Sequence, residues 1–319
     1  MKTARLTSPR TFELLEVDQP QPGDGEVLIR TERLSICGSD LRTFDRVLPE
    51  ENYPLETGRP CHECIGVVEE SHTDELREGQ RVIVLPTTRG GLNEYIVEKA
   101  DRIIPIPDGG DPAVWLMCQP SGTVLYSVQR TGSLLGKRVA ILGQGAIGLS
   151  FTALAAMQGA TQIIVTDFLD NRLDLARQLG ATNTINATRE DVVEVVSEVT
   201  HGQMADVVFE AAGEETTFNQ TFHVVKRYGH VTFFGIQWEE RFTLDFAKMF
   251  DQQISMLATA SARSGNATAA IKECVKLVEQ GRLDLSGLIT HRMGFEDVQR
   301  AYDTYNGKLD NSIKVVMSV

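Results

Sequence analysis

A thiol, a hydroxyl and a carboxylate fall within four residues of the stretch SICGSDLRTF, as Cys37, Ser39 and Asp40. Further along, GRPCHECIG sets the imidazole of His62 beside the carboxylate of Glu63, and Cys118-Gln119-Pro120 adds a further thiol and an amide. Thiolate, imidazole and an oxygen donor together suit zinc, and zinc held with one position open is a catalytic centre. A different chemistry is written in Gly143-Gln144-Gly145-Ala146-Ile147-Gly148, a G-x-G-x-x-G preceded by the apolar run RVAIL and followed by an uncharged stretch. With a strand before it and a helix after it, this pattern binds a dinucleotide. The first glycine permits the tight turn, the second lets backbone approach a pyrophosphate, and the third lets helix pack on strand. The helix N-terminus then offers free N–H groups to the anion.

Asp167 ends the next apolar run, QIIVTD. It stands roughly 20 residues beyond the glycines, where a carboxylate bonds both ribose hydroxyls. Such a carboxylate would repel a 2′-phosphate, so NAD is favoured over NADP. The competing reading makes Asp167 a cap for the helix that contains Arg172. The cysteines also carry alternatives. Cys61-x-x-Cys64 has the spacing of half a zinc knuckle or a redox pair, but no second C-x-x-C exists and the run does not open a helix after a strand. Cys118 is itself a candidate for the metal, since zinc favours thiolate. Cys274 reads as a core residue of an amphipathic helix, and His72, His201, His223, His230 and His291 read as structural.

The elements that must position these groups follow two patterns. The first part of the chain is β-rich, with EVLIRTERLSI, IGVVEE, QRVIVL and NEYIVE between Gly, Pro and Asp punctuation. PQPGDGE and IPIPDGGDP mark turns or a boundary. From about Ser121 to Ala260, six apolar runs (RVAILG, QIIVTD, NTIN, DVVFEAAG, HVTFFG and ISMLATA) are separated by helical stretches. That alternation predicts a doubly wound, parallel, six-stranded sheet of Rossmann type. Beyond it ATAAIKECVKLVEQGRL reads as an amphipathic helix, and SIKVVMSV as a strand that returns to the first domain. The expected division is 1–121 with 261–319 as a β-rich catalytic domain, and 122–260 as the dinucleotide domain.

The 319 residues suffice for two domains with cores, and 42% hydrophobic and 24% charged residues are those of an ordinary globular protein. A net charge of −13 disfavours non-specific binding to nucleic acid or anionic membrane. The N-terminal MKTARLTSPRTFELLEV lacks the apolar core of a signal peptide. Five cysteines in an odd, irregular count fit a reducing compartment, so a cytoplasmic setting is expected. Val139 to Thr166 holds no charged residue and is long enough to span a bilayer, but its four glycines divide it into strand, turn and helix, which reads as buried α/β core.

Taken together, CGSD, HECIGVV, ILGQGAIG, VTD and the tail LITHRMGFEDVQRAYD carry a resemblance that covers the whole chain. The chain resembles the zinc-dependent medium-chain dehydrogenases, especially their sorbitol, threonine and sugar dehydrogenase branch. The resemblance implies a GroES-like catalytic domain beside the Rossmann domain. It implies Cys37 and His62 as zinc ligands, Glu63 as a carboxylate at the metal that exchanges with water during turnover, and Asp40 as the group that orients His62. The family's further position at the metal, usually Cys or Glu before a proline, falls on Gln119, as a neutral oxygen ligand or as a partner of metal-bound water. The implied reaction is reversible oxidation of a secondary alcohol, polyol or sugar-like, to a ketone. Ser39 would take the alcohol proton and pass it to the nicotinamide ribose, and Gly143 to Gly148 with Asp167 and Arg172 would hold the cofactor. Where many relatives have a histidine that relays the proton onward, this chain has Arg42, which cannot act as a base. Where many carry a four-cysteine structural zinc lobe, it has only PTTRGGLNE, so one catalytic zinc per chain and no structural zinc is expected. Relatives assemble as homodimers or homotetramers through an edge of the nucleotide sheet, to which QISMLATA corresponds. Two alternatives stand beside this reading: a zinc-free reductase of the same superfamily, and a catalytically silent NAD-binding sensor.

Overall fold

The computed structural model describes residues 1–236 and 241–319. The chain divides into two compact units, Met1–Gly122 with Ala267–Val319, and Thr123–Asn266. The return to the first unit falls at Ala267 rather than at 261, because the short turn Ser261–Arg263 stays with the second unit.

In the first unit, β1 (Lys2–Ser8) and β2 (Thr11–Glu16) form an antiparallel hairpin. Then follow β3 (Glu26–Ser35), α1 (Gly38–Asp45), β4 (Glu63–Ser71), β5 (Arg81–Val84), β6 (Tyr95–Lys99), β7 (Ile103–Pro105) and α2 (Pro112–Leu116). The chain leaves this unit within α3 (Cys118–Thr131). The second unit alternates β8 (Arg138–Leu142), α4 (Ala146–Met157), β9 (Gln162–Asp167), α5 (Asp170–Gln178), β10 (Asn183–Asn186), α6 (Val192–Val199), β11 (Ala205–Glu210), α7 (Glu215–Val224), β12 (Val225–Phe233), α8 (Phe246–Gln252) and β13 (Ser255–Ala258). The first unit is completed by α9 (Ala267–Glu279), β14 (Ile289–Gly294), α10 (Val298–Asn306) and β15 (Lys314–Ser318).

Among the described residues, the first unit's main sheet runs β14-β15-β3-β4-β5-β7, with β6 paired to the other part of β3. Its core gathers Leu34, Ile36, Val68, Val84, Val315 and Met317. The second unit's sheet runs β10-β9-β8-β11-β12-β13 and is parallel throughout, as the alternation of runs predicts. Strand order reverses between β8 and β11, and in such sheets the ligand crevice lies outside the carboxyl ends at that reversal. Helix α4 buries Leu149, Phe151, Leu154 and Ala155, which explains a helix without charge: it is enclosed by protein on most sides. No helix among the described residues is long and apolar enough to cross a membrane.

Candidate active site

Three strands in register build the charged floor of the metal-ligand cluster. Ser35 on β3 is flanked by Val316 of β15 and Glu63 of β4. Lys314, two residues from Val316, shares its face of β15, since side chains alternate along a strand. Accordingly Glu63 Oε2 takes a hydrogen bond from Ser35 Oγ and an ion pair from Lys314 Nζ at 2.5 Å, and the same ammonium donates to the Ile36 carbonyl at 2.9 Å. All three side chains are shut off from solvent. Burial works against the Lys314 charge, but Glu63 outweighs it, and the ammonium is held above the ordinary lysine range. The other oxygen of Glu63, Oε1, is buried with no hydrogen-bond partner.

Beyond β3 the chain turns into α1 with Cys37 as N-cap. The Asp40 carboxylate reaches back from the first turn, accepting from Cys37 N–H at 3.1 Å, and its second oxygen lies 2.6 Å from His62 Nδ1. Phe44, fully buried against Phe12 and Tyr302, seats the far end of the helix. Ser39 Oγ lies 3.5 Å from Cys37 Sγ. Ligand atoms of Cys37, His62 and Glu63 come within 4.8 Å of one another, the one such group of three among the described residues. Burial lowers the His62 pKa, but Asp40 and Cys37 reverse this and hold it well above the ordinary value in the metal-free chain. A thiol, an imidazole whose other nitrogen is fixed by a carboxylate, and a carboxylate with an orphaned oxygen fit a zinc ion.

Cys118 and Gln119 part company. The Cys118 thiol is hydrogen-bonded to Cys274, and that contact together with burial pushes its pKa far up. Gln119 is 7% exposed and its Oε1 is buried without a hydrogen-bond partner. Cys61 and Cys64 are free, fully buried and hydrogen-bonded to each other, which with burial raises the Cys61 thiol.

In the second unit, Gly143 turns with φ +92° and Gly148 lies so close that a Cβ on it would stand 1.8 Å from the Gly143 carbonyl oxygen. Gly145 is the N-cap of α4, whose first residues are Ala146 and Ile147. The Gln144 side chain turns inward, donating to Gly143 O at 2.9 Å and accepting from Thr152 at 2.9 Å, so it fastens the turn from beneath. Asp167 accepts from Gln144 N–H at 2.7 Å and from Phe168 and Leu169 N–H at 2.8 and 3.0 Å. The N-cap of α5 is Leu169, so Asp167 braces the glycine turn and does not cap that helix. Arg172 stands 3.7 Å from the Asp167 carboxylate. At the end of β11 the fully buried Glu210 gathers the N–H groups of Ala212 and Gly213, both at 2.9 Å, and the Thr217 hydroxyl at 2.7 Å.

Sequence reasoning missed Ser35, Lys314 and Glu210. The first two lie inside runs read only as strand, and a single lysine in such a run reads as a solvated side chain; only the strand register brings them to Glu63.

This fold and cluster define a zinc-type dehydrogenase, and comparison with known proteins agrees. The family model for the alcohol dehydrogenase GroES-like domain matches residues 23–108, and that for zinc-binding dehydrogenases matches residues 146–280. The chain is 30% identical to an uncharacterized zinc-type alcohol dehydrogenase-like protein of Haemophilus influenzae, over 99% of this chain and 98% of the relative. It is 31% identical to an L-threonine 3-dehydrogenase of Pyrococcus horikoshii, over 91% of each. A solved Escherichia coli oxidoreductase/dehydrogenase of unknown specificity superposes with a TM-score of 0.89 at 27% identity, over 100% of this chain and 99% of the other. The chain belongs to the zinc-dependent medium-chain dehydrogenase family.

Proposed function

We propose that this protein moves hydride between a secondary alcohol of polyol or sugar type and NAD, with one catalytic zinc per chain. The observation that carries the reading is the convergence of Cys37, His62 and Glu63 around a buried carboxylate oxygen that no protein group satisfies. A bound zinc would supply Lewis acidity toward the alcohol oxygen and lower its pKa. Cys37, His62 and Glu63 would hold it, with the free oxygen of Gln119 completing or facing the site. Asp40 keeps the His62 ring in one orientation and tautomer, leaving its other nitrogen for the metal. Ser35 and Lys314 fix one oxygen of Glu63 and leave the other to the metal or to water. The Ser39 hydroxyl, close to Cys37 Sγ, takes the proton of the alcohol. In the second unit the glycine turn and the N-terminus of α4 receive the pyrophosphate, and Asp167, unwelcoming to a 2′-phosphate, accepts the ribose hydroxyls.

Partner and setting follow the same reading. Edge strand β13 and helix α8 leave Met256, Phe246 and Phe250 exposed, which supports a homodimer or homotetramer built on that edge. A reducing, cytoplasmic setting suits five free cysteines.

The test is NADH absorbance with zinc-loaded protein on a panel of polyols, sugars and secondary alcohols. Turnover is expected, faster with NAD than with NADP at equal low concentration, with about one zinc per chain by elemental analysis. Silence across the panel with tight NAD binding would leave a sensor in its place.

A further inference from the structure

The loop between β5 and β6 supplies none of the clustered ligands, yet it grips the segment that does. Cys61 N–H donates to Arg89 O at 2.9 Å, and Gly91 N–H donates back to Cys61 O at 3.0 Å, so both faces of the Cys61 residue are held by the loop. Leu92 N–H donates to Gly58 O at 2.9 Å. The loop is itself pinned at its start, where the buried Glu98 carboxylate takes the Thr87 N–H at 2.6 Å and the Thr87 hydroxyl at 3.0 Å. The closest approach is at Gly91. A Cβ there would meet Cys64 Sγ at 2.4 Å, Cys61 O at 3.0 Å and Cys61 Sγ at 3.2 Å. The two thiols flank His62 and Glu63 in the chain, so this one point of contact borders both ends of the ligand dipeptide.

We propose that Gly91 is a positioning residue for the metal site: its bare α-carbon lets the loop close on Cys61 and Cys64 and so fixes the peptide that presents His62 and Glu63. The inference rests on the zinc reading above for its consequence but not for its geometry. A methyl group at 91 must push the sulfurs or the Cys61 carbonyl aside, and either movement displaces the dipeptide between them. The neighbouring Gly90, bridged to Cys61 through backbone, is a built-in control, because the atoms nearest a Cβ there belong to Thr88, at 2.8 Å, and Thr57, at 3.4 Å, and none belongs to residues 61–64.

The experiment measures zinc affinity by chelator competition and the cobalt(II) absorption spectrum in four forms of the full chain: wild type, Gly91→Ala, Gly90→Ala, and Gly91→Ala with Cys64→Ala. Gly91→Ala is expected to weaken zinc roughly 10- to 100-fold and alter the cobalt bands, as loss of a supporting contact around a metal does. Gly90→Ala should match wild type, and Cys64→Ala should restore much of the loss by removing the sulfur nearest the methyl group, the one contact inside 3.0 Å. Unchanged affinity in Gly91→Ala, or a loss that Cys64→Ala leaves intact, overturns the inference. A second arm needs no metal: in chelator-treated protein, Gly91→Ala should speed amide hydrogen exchange across 61–64 about tenfold while leaving α1 unchanged. Faster exchange in a chain whose wild type takes no zinc would sink the zinc reading and keep the positioning role, whereas unchanged exchange sinks the role itself. Should Gly91→Ala not fold, the wild type decides: zinc binding must slow exchange at Arg89 to Gly91 if loop and ligand segment are one unit, and no slowing overturns the proposal.

Discussion

Lys314 carries the positive charge that balances Glu63 where water does not reach either group. A buried ion pair adds little over a well-packed apolar substitute, but removing one partner strands the other charge. Lys314→Met is therefore expected to cost about 3 kcal/mol or more in urea unfolding of the first unit, and Glu63→Gln added to it should recover a large part. A double variant no more stable than the single one would show that the lysine acts through packing alone. The same residue marks where the sequence stops speaking. Cys37, His62 and Glu63 announce themselves by type and spacing, and the structure gathers them. Nothing local distinguishes Lys314, because its partner lies 251 positions away and only the order β15-β3-β4 makes them neighbours.

At the scale of elements, the second unit was the more readable. Parallel strands buried on both faces must be short continuous apolar runs, and those runs stand out between helices. The first unit was less so. The hairpin β1–β2 has polar residues on its exposed face and no glycine turn, and α1 is too short to show a helical period, so its start is set by the Asp40 contact with Cys37 N–H. The turn between β8 and α4 gives a sharp prediction. A methyl group on Gly148 would overlap the Gly143 carbonyl and force strand and helix apart. Gly148→Ala should lose NADH binding by at least tenfold in fluorescence titration while zinc content stays at the wild-type level, since the overlap lies wholly within the second unit. Loss of zinc together with NADH would mean that the two units do not fail separately.

For the whole molecule, pH is a lever that reaches beyond the site. Burial raises the Glu210 carboxyl above its ordinary 4.5, against the pull of Thr217 and the Gly213 and Ala212 N–H groups. The folded chain then holds this proton at pH values where the unfolded chain has released it, so the contribution is fully present below 4.5 and is lost as pH rises through the folded value. Relative to Glu210→Gln, the wild type is expected to lose stability as pH rises above 4.5 in urea unfolding of metal-free, cofactor-free protein. A gap between the two that stays constant with pH would place Glu210 at its ordinary value. The interleaved chain has a consequence of its own for synthesis. Residues 123–266 are contiguous and can fold while the ribosome is still working, but the first unit waits for α9 to β15. Until β15 arrives, Glu63 has no lysine beside it. The second unit can therefore be complete while the ion pair that fixes one oxygen of Glu63 is still missing, and that pair forms only once β15 has been made.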